Sequence, residues 1–308
     1  MQTYFNYSTP NLEACALTIG NFDGVHKGHL YILKCLKKEA EKRNLPTVLI
    51  TFEPLAKEYL ARNCSNLHPV RISPLQDKLA LIESTKHIDI TIVFDFNQEF
   101  SCISAKDFVK DILIKQLNTK YLLIGDDFKF GKERQGNYDY LLRFPNFETQ
   151  KAPSIMVDNT RVSSSVIRQS LMMGDLKQAE AFLGHDYFLS GEVKQGMRLG
   201  RQLGCPTANI DLNNHHFPLS GIYVVEVKGA FGQKKGVASF GTNPTISNDP
   251  APKLEVHIFD FNEDIYGQIL TVIFKEKIRD ELKFDNLTEL KNQIGKDIYF
   301  AKNWFIHP

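Results

Sequence analysis

The chain has 308 residues, of which 43% are hydrophobic and 24% charged, a globular composition whose length suggests two domains. The formal net charge is +1 and no block is strongly basic, which argues against a dedicated nucleic-acid-binding protein. No apolar run approaches the roughly 20 residues of a membrane span, and residues 1–10 lack the apolar core and basic flank of a signal peptide. The cysteines are odd in number, scattered and without a Cys-x-x-Cys pair, which predicts reduced thiols in a cytoplasmic protein.

Short apolar runs alternate with helical patterns in the first half of the chain. The runs, rich in β-branched residues, cover 15–19, 47–52, 88–94 and 120–124, and the helical patterns cover 30–43, 75–84 and 105–116. Ser104, followed three residues later by Asp107, resembles a capping box before the last of these helices. The alternation predicts an α/β, Rossmann-like parallel sheet covered on both faces, whose ligands bind beyond the carboxyl ends of the strands.

One segment at such a strand end combines glycines with two histidines. It runs Gly20-Asn21-Phe22-Asp23-Gly24-Val25-His26-Lys27-Gly28-His29. Glycine allows close backbone approach to a ligand, and the N-terminus of the following helix offers free N–H groups to phosphate. His26 and His29 can donate hydrogen bonds to charge on a phosphoryl group. An isolated His-x-x-His is more often a turn with exposed histidines, but the strand, glycines and helix together favour nucleotide binding.

Further polar clusters follow other predicted strands of the first half. They are Phe52-Glu53-Pro54, then Gly125-Asp126-Asp127-Phe128-Lys129-Phe130-Gly131, and Arg161-Val162-Ser163-Ser164-Ser165-Val166-Ile167-Arg168 at the start of a helix. The serine hydroxyls, the helix N–H groups and an arginine fork could hold phosphates. Taken alone, Ser163 to Ser165 are more typical of a simple helix N-cap.

The alternation of strands and helices stops at about Gly184, a residue typical of a helix end. Strand-like runs at 187–193, 207–210, 221–227, 235–240, 254–259 and 268–275 are separated by turn residues, which predicts a small antiparallel β-barrel. A closing helix is capped by Asn286 and Glu289 and carries an apolar stripe, most simply core, of Leu287, Leu290, Ile294 and Ile298. We therefore expect domains at 1–184 and 185–308.

A glycine-rich loop in the second half precedes a short polar strand. The loop contains Gly191, Gly196, Arg198, Gly200, Arg201 and Gly204, and Pro206-Thr207-Ala208-Asn209 follows it. No Gly-x-x-x-x-Gly-Lys-Ser/Thr is present, which excludes a P-loop NTPase. Thr207 and Asn209 lie on one face of a strand and offer oxygen ligands that suit Mg²⁺ beside a nucleotide, although the segment alone is typical of an edge strand.

Glu255 lies on an alternating strand, where it shares a face with His257. A carboxylate in that position could take a proton from a substrate hydroxyl within hydrogen-bond reach. In isolation it is more typical of an exposed strand glutamate.

Residues 14–168 resemble the FMN adenylyltransferase module of bifunctional bacterial riboflavin kinase/FAD synthetases, through segments 20–29, 125–131 and 162–168. The resemblance implies a nucleotidyltransferase fold that moves AMP from ATP onto FMN. It implies that His26 and His29 are catalytic at the ATP phosphates. It further assigns ATP contacts to Gly20, Asn21, Phe22, Gly24, Gly28, Ser163, Ser164 and Arg168, and flavin contacts to Asp126, Asp127 and Phe128. The family usually shows Phe-x-Pro-His-Pro after the second strand, whereas this chain has Phe52-Glu53-Pro54-Leu55-Ala56.

Residues 186–303 resemble the riboflavin kinase module of the same family. The matching segments are the glycine loop, 206–209, 241–245, 254–257, 266–267 and 279–284. The resemblance implies that Glu255 is the base acting on the ribityl 5′-hydroxyl and that Thr207 and Asn209 hold Mg²⁺. It also implies ATP contacts from Gly191, Gly196, Arg198 and Gly200, and flavin contacts from Arg279 and Phe284.

The sequence thus predicts a cytoplasmic enzyme of two steps, with riboflavin, FMN and ATP as substrates, Mg²⁺ as cofactor, and neither nucleic acid nor membrane as partner. FMN would form in the barrel and FAD in the first domain, with release of pyrophosphate; the oligomeric state is left open. Leu55 and Ala56 are the support for an alternative, a monofunctional riboflavin kinase with a decayed first domain. A flavin-storage protein and a nucleotidyltransferase for another alcohol phosphate are further alternatives. The phosphate-type loops oppose the former, and the attached barrel and the 125–131 loop oppose the latter.

Overall fold

The computed structural model describes residues 1–6, 12–62, 69–196, 200, 204–241 and 253–307. Packing divides the chain into two compact units. The first consists of Met1–Pro69 and Lys78–Ser163, and the second of Val70–Asp77 and Ser164–Pro308. No helix in the described ranges is both long and apolar enough to cross a membrane.

The first unit is built on a parallel sheet with the strand order β1-β4-β3-β2-β5-β6. The strands are β1 Gln2–Phe5, β2 Cys15–Ile19, β3 Thr47–Glu53, β4 Ile90–Asp95, β5 Thr119–Ile124 and β6 Glu148–Lys151. The helices are α1 Lys27–Lys42, α2 Ala56–Ala61, α4 Gln98–Ser101, α5 Ala105–Asp107 and α6 Tyr138–Leu141. Helix α3, Leu75–Ser84, begins in the second unit and belongs to the first from Lys78 onward. A π-helix, Phe108–Gln116, continues α5, a 3₁₀ turn covers Lys132–Arg134, and β7 Met156–Val157 pairs with β8 Thr160–Arg161.

Both faces of the central strands β2 to β5 are buried, as the apolar runs predict. On one face Leu17 and Ile50 pack with the π-helix Phe108–Gln116. On the other face Leu49 packs with Leu33 of α1. Ser104 caps α5 as expected, because its Oγ accepts a hydrogen bond from the Asp107 N–H at 3.1 Å. The predicted parallel α/β architecture is therefore confirmed, and it gathers the carboxyl ends of the strands at one edge of the sheet.

The second unit is a closed antiparallel barrel with the strand order β10-β13-β12-β11-β14-β9. The strands are β9 Phe188–Lys194, β10 Ala208–Asp211, β11 Gly221–Gly229, β12 Gly232–Gly241, β13 Lys253–Ile258 and β14 Ile269–Arg279. Among the described helices of this unit are α7 Ser164–Met172, α8 Leu176–Leu183 and α9 Leu287–Trp304. The predicted barrel with a closing helix is confirmed.

The closing helix α9 begins as predicted but packs through a different face. The Asn286 side chain accepts a hydrogen bond from the Glu289 N–H at 2.9 Å. The expected apolar stripe is wrong at Leu287, which is 56% exposed, because the helix is buried chiefly at Ala301 and Asp297. Buried Asp297 is an acceptor for a strand arginine, so charge pairing replaces part of the expected apolar contact.

A short segment from the first half of the chain packs on the barrel. The Tyr187 hydroxyl donates to the carbonyl of Ile72 at 2.9 Å, and the Ser190 N–H donates to Asp77 Oδ2 at 2.8 Å. Burial of Asp77 raises the pKa of its carboxyl, and the hydrogen bond from Ser190 opposes that rise. The Gln76 amide completes the contact by donating to the Ser190 carbonyl at 2.6 Å. The barrel unit thus includes residues 70–77 as well as α7 and α8, while the boundary at residue 184 stays a prediction. Gly184 does end α8, in the left-handed conformation with φ +87°.

Candidate active sites

The segment between β2 and α1 forms a tight turn at the carboxyl edge of the parallel sheet. Phe22, Gly24 and Val25 all have positive φ angles, of +48°, +83° and +41°. For residues with a side chain this conformation is strained, and such strain concentrates at functional sites. Phe22 and Val25 are nonetheless buried, so their packing holds the strained turn in place. Asn21, between the strand and the turn, is exposed to solvent.

His26 caps α1 with its own ring. Its Nδ1 accepts a hydrogen bond from the His29 N–H at 3.3 Å, and the two imidazole rings stack with centroids 3.6 Å apart. Because Nδ1 accepts this hydrogen bond, a ring proton of His26 lies on Nε2. Gly28 lies against this ring, since a Cβ there would come 3.2 Å from it. The structure thus brings the two predicted histidines together in one stack at a helix N-terminus.

His29 is held as a neutral imidazole. Burial, followed by the neighbouring charges of His26 and Lys78, puts its pKa well below the usual 6.5. Its Nδ1 is buried and has no hydrogen-bond partner among the described residues. A buried polar nitrogen of this kind is normally satisfied, so the site suits a ligand that supplies the missing partner.

Lys78 lies behind the turn and was missed by the sequence analysis. It is only 2% exposed, and its ammonium donates to the Asn21 carbonyl, to Thr51 Oγ1 and to the Phe52 carbonyl. One signal could have found it: in the helical pattern 75–84, Lys78 shares a face with Leu75 and Ile82. A lysine on the buried face of a helix needs a polar partner inside the protein.

The three predicted flavin residues in the loop after β5 differ in their exposure to solvent. Asp126 and Asp127 are exposed, and the Arg161 guanidinium lies 3.9 Å from each carboxylate. Phe128 is half-buried and stacks on Phe130 with ring centroids 5.5 Å apart. The loop therefore offers one aromatic face and two accessible carboxylates to a ligand.

Ser163 and Ser164, predicted to bind phosphate, lie at the start of α7. Ser163 ends the first unit, whereas Ser164 and Arg168 are on α7 and belong to the second unit. Their predicted contacts with ATP stay a prediction.

Leu55 and Ala56 occupy the positions where the family usually has His-Pro, and the Leu55 side chain is packed inside the protein. Leu55 is only 2% exposed, and its N–H donates to the Glu58 carboxylate at 2.9 Å. Ala56 is the first residue of α2. Leu55 thus fills a buried site, so the departure at this loop replaces a polar ring by apolar packing.

The barrel brings three predicted residues to one place. Asn209 on β10 lies directly opposite Glu255 on β13, and Thr207 Oγ1 is 3.5 Å from Glu255 Oε2. All three side chains are half-buried, on the side of the strands opposite the apolar barrel core. A hydroxyl, an amide and a carboxylate therefore converge on one partly exposed surface.

Gly196 and Gly200 of the glycine-rich loop lie against these side chains. A Cβ at Gly196 would overlap the Asn209 amide, and a Cβ at Gly200 would come 3.1 Å from Thr207 Oγ1. Gly191, by contrast, lies inside β9, where a Cβ would overlap the Asp211 carbonyl, so the barrel wall itself requires glycine there. Arg198 and Arg201, like segment 242–245, lie outside the described residues.

The donor set fits Mg²⁺ bound together with a nucleotide. In the described ranges no three His, Cys, Asp or Glu side chains gather into a metal-binding group. Mg²⁺ beside a nucleotide needs only one or two protein oxygens, because phosphates and water complete its shell. Thr207 and Asn209 supply neutral oxygens, and the close glycines leave space that a side chain would fill.

Arg279, predicted to contact flavin, makes a partly buried ion pair with Asp297. Its Nε donates to Asp297 Oδ1 at 2.9 Å and one terminal nitrogen donates to Oδ2 at 2.6 Å. Gln293 also donates to Asp297, at 2.9 Å. The guanidinium lies 6.0 Å from the centre of the Phe284 ring. Arg279 therefore fastens α9 to the end of β14, and its flavin contact, like that of Phe284, stays a prediction.

Each half of the chain matches a family of known proteins. Residues 8–166 match the model of the FAD synthetase family, and residues 183–305 match that of the riboflavin kinase family. A protein of Haemophilus influenzae is 43% identical over 300 residues, which cover 96% of this chain and 95% of that protein. A protein of Escherichia coli K12 is 39% identical and covers 97% and 96%. Both are named bifunctional riboflavin kinase/FMN adenylyltransferase.

A solved structure with the same fold carries a different name. It is described as a macrolide-efflux protein from Streptococcus pneumoniae, with a TM-score of 0.80, 30% identity, and coverage of 99% of this chain and 100% of that chain. That description concerns the other protein, and the likeness here supports the shared architecture. Since both halves match their family models and the relatives cover nearly the whole chain, this protein belongs to the bifunctional riboflavin kinase/FMN adenylyltransferase family.

Proposed function

We propose that this enzyme phosphorylates riboflavin to FMN in the barrel and adenylylates FMN to FAD in the first unit, using ATP in both steps. The observation that carries the proposal is the presence of two phosphate-type sites of different construction. One is the stacked His26 and His29 at a helix N-terminus, and the other is the group of Thr207, Asn209 and Glu255. A monofunctional kinase is not favoured, because the histidine turn is intact and both family models match.

In the barrel, Glu255 accepts the proton of the ribityl 5′-hydroxyl. The freed oxygen forms a bond to the γ-phosphorus of ATP, and the bond from that phosphorus to ADP breaks. Phosphoryl transfer depends on positioning and charge stabilisation, which the glycine loop and neighbouring hydroxyl and amide groups provide. Thr207 and Asn209 would hold Mg²⁺, which when bound offsets the negative charge of the phosphates.

In the first unit, a phosphate oxygen of FMN attacks the α-phosphorus of ATP, and the bond to the bridging oxygen breaks to release pyrophosphate. His26 donates through Nε2, and the N–H groups at the start of α1 face the same anion. Neutral His29 brings a second imidazole to the stack. Preformed donors of this kind stabilise the charge that develops on the leaving group.

The proposal is tested by mixing the purified protein with riboflavin, ATP and Mg²⁺ and separating the flavins by chromatography over time. FMN should appear first and FAD should follow, with consumption of ATP. FMN without FAD would support the monofunctional alternative. Riboflavin binding without consumption of ATP would support a storage protein.

Thr207→Ala is expected to weaken nucleotide binding in the kinase step alone, because it removes one proposed oxygen ligand of Mg²⁺. Loss of one hydrogen-bonding or ligating group to a charged partner costs about 2 kcal/mol, or roughly 30-fold in the KM for ATP. The matched control is Thr207→Ser, which keeps the hydroxyl. An unchanged KM for ATP in Thr207→Ala would remove the metal-ligand assignment.

Residues 186–308 expressed alone are expected to phosphorylate riboflavin but to resist heat less well than the full chain. The fragment lacks α7 and α8 as well as residues 70–77. Without residues 70–77, the Tyr187 hydroxyl and the Ser190 N–H lose their partners. Each lost hydrogen bond costs about 1 kcal/mol, so the temperature that inactivates the kinase should fall by roughly 5 °C or more. Equal heat resistance would show that these contacts contribute nothing, and an inactive fragment would show that the barrel requires them.

We further propose that the enzyme works in the cytoplasm on small molecules, with no nucleic-acid partner. The four described cysteines are free thiols, as a reducing compartment requires. The net charge of +1 gives no electrostatic footprint for nucleic acid.

A further inference from the structure

The ammonium group of Lys78 is buried in the first unit, and neither chemical step above uses it. The side chain is 2% exposed. Burying an ammonium group is unfavourable unless protein groups replace its water. Methionine, of similar length, would fill the same space without that cost. The charge of Lys78 is therefore what distinguishes it from a side chain that only fills space.

The bonds of Lys78 connect two chain segments at the carboxyl edge of the sheet. Its Nζ lies 3.2 Å from the carbonyl oxygen of Asn21, which follows β2, and 3.3 Å from that of Phe52 in β3. A third bond, of 3.0 Å, goes to Thr51 Oγ1. The Thr51 hydroxyl in turn donates to the Asn21 carbonyl at 3.1 Å. One ammonium and one hydroxyl thus join the end of β3 to the first residues of the histidine turn.

The histidine turn contains strained backbone. Phe22 and Val25 are held at positive φ, a conformation that costs about 1–3 kcal/mol for each residue with a side chain. Asn21 immediately precedes them, so its fixed carbonyl sets where the strained turn begins. His26 and His29 lie at the other end of the same turn.

We propose that Lys78 is a positioning residue for adenylyl transfer: its ammonium fixes the Asn21 end of the turn against β3, so that His26 and His29 meet the triphosphate in one arrangement. The inference rests on the proposed adenylylation of FMN in the first unit. Lys78 would not contact the reacting atoms and would act through the turn.

The charge of Lys78 has a second effect on the same site. With burial and His26, it lowers the pKa of His29, so the imidazole stays neutral below pH 6.5. Replacing Lys78 by an uncharged residue should move that pKa upward, toward the usual value. A residue that only filled space would leave the pKa unaltered.

The test compares Lys78→Met and Thr51→Val with the wild type, with Thr51→Ser as the matched control that keeps the hydroxyl. Lys78→Met should lower kcat for FMN adenylylation by about 10- to 100-fold, with a much smaller change in the KM for FMN. Thr51→Val should act in the same direction, and Thr51→Ser should stay near the wild type. Riboflavin phosphorylation should be unchanged in all three. The His29 pKa, followed by NMR titration of its ring protons, should rise in Lys78→Met.

Two further comparisons complete the design. In a His29→Ala background, Lys78→Met should add less than it does alone, because both changes act through one turn. A folded Lys78→Met protein with wild-type kcat would overturn the proposal, as would fully additive effects. If Lys78→Met does not fold, the Thr51 pair decides, and a wild-type rate in Thr51→Val overturns the proposal. Absence of FAD formation in the wild type would instead refute the proposed function, and the His29 titration would still report the effect of Lys78.

Discussion

Glu255→Gln is expected to lower kcat for riboflavin phosphorylation by about 100- to 10,000-fold while leaving adenylylation of supplied FMN intact. Glutamine keeps the size of the side chain and its strand position, so the effect isolates the proton acceptor. Glu255 lies beside Thr207 and opposite Asn209, where a substrate hydroxyl next to a bound nucleotide would be within reach. Removal of a positioned base leaves positioning and metal binding in place, so binding of riboflavin should change little.

The measurement is the initial rate of FMN formation, with the KM for riboflavin determined separately. Glu276→Gln is a matched control, because Glu276 is a half-buried glutamate on another barrel strand, β14. It should retain the wild-type rate. FMN formation near the wild-type rate in Glu255→Gln would remove Glu255 from the mechanism.

His29→Ala should reduce FAD formation by about 100-fold, or on the order of 3 kcal/mol, and should leave FMN formation unchanged. The two imidazoles stack at the N-terminus of α1, where charge on the leaving pyrophosphate would develop. His26→Ala should be similarly impaired and should also destabilise α1, because it removes the side chain that caps the helix. Loss of such a cap costs about 1 kcal/mol.

His87→Ala provides the matched control in the same unit. His87 precedes β4, at the opposite edge of the sheet from the strand ends that carry the turn. Its loss should not affect FAD formation. Unaltered FAD yields in both His26→Ala and His29→Ala would reduce the motif to a structural turn.

Local sequence patterns predicted the elements that lie in one kind of environment along their length, such as a strand buried on both faces. The apolar run at 15–19 is β2 over the same residues, because a strand buried on both faces has no polar interruption. The edge strand β6 was missed, since Glu148–Lys151 is polar and largely exposed. Its pairing with β5 stabilises it, and that pairing is absent from the local sequence.

Prediction of the site residues was limited in the same way, because local motifs do not show contacts between distant parts of the chain. Motif spacing identified His26 and His29, and the structure adds that their rings stack and that His29 is neutral. Spacing could not show that Lys78 binds the ends of β2 and β3, because its partners lie 26 to 57 residues earlier in the chain. Nor could it show that Arg279 pairs with Asp297, which depends on where α9 packs.

The central claim is that one chain carries two separate catalytic sites acting in sequence. Its most direct test supplies riboflavin, ATP and Mg²⁺ to Glu255→Gln alone, to His29→Ala alone and to an equal mixture of both proteins, and follows FAD by chromatography. Glu255→Gln should leave riboflavin unconverted, and His29→Ala should stop at FMN. The mixture should produce FAD, because FMN released by one protein is adenylylated by the other. If either variant lost both activities, or if the mixture produced no more FAD than the variants alone, the account of two independent sites would be contradicted.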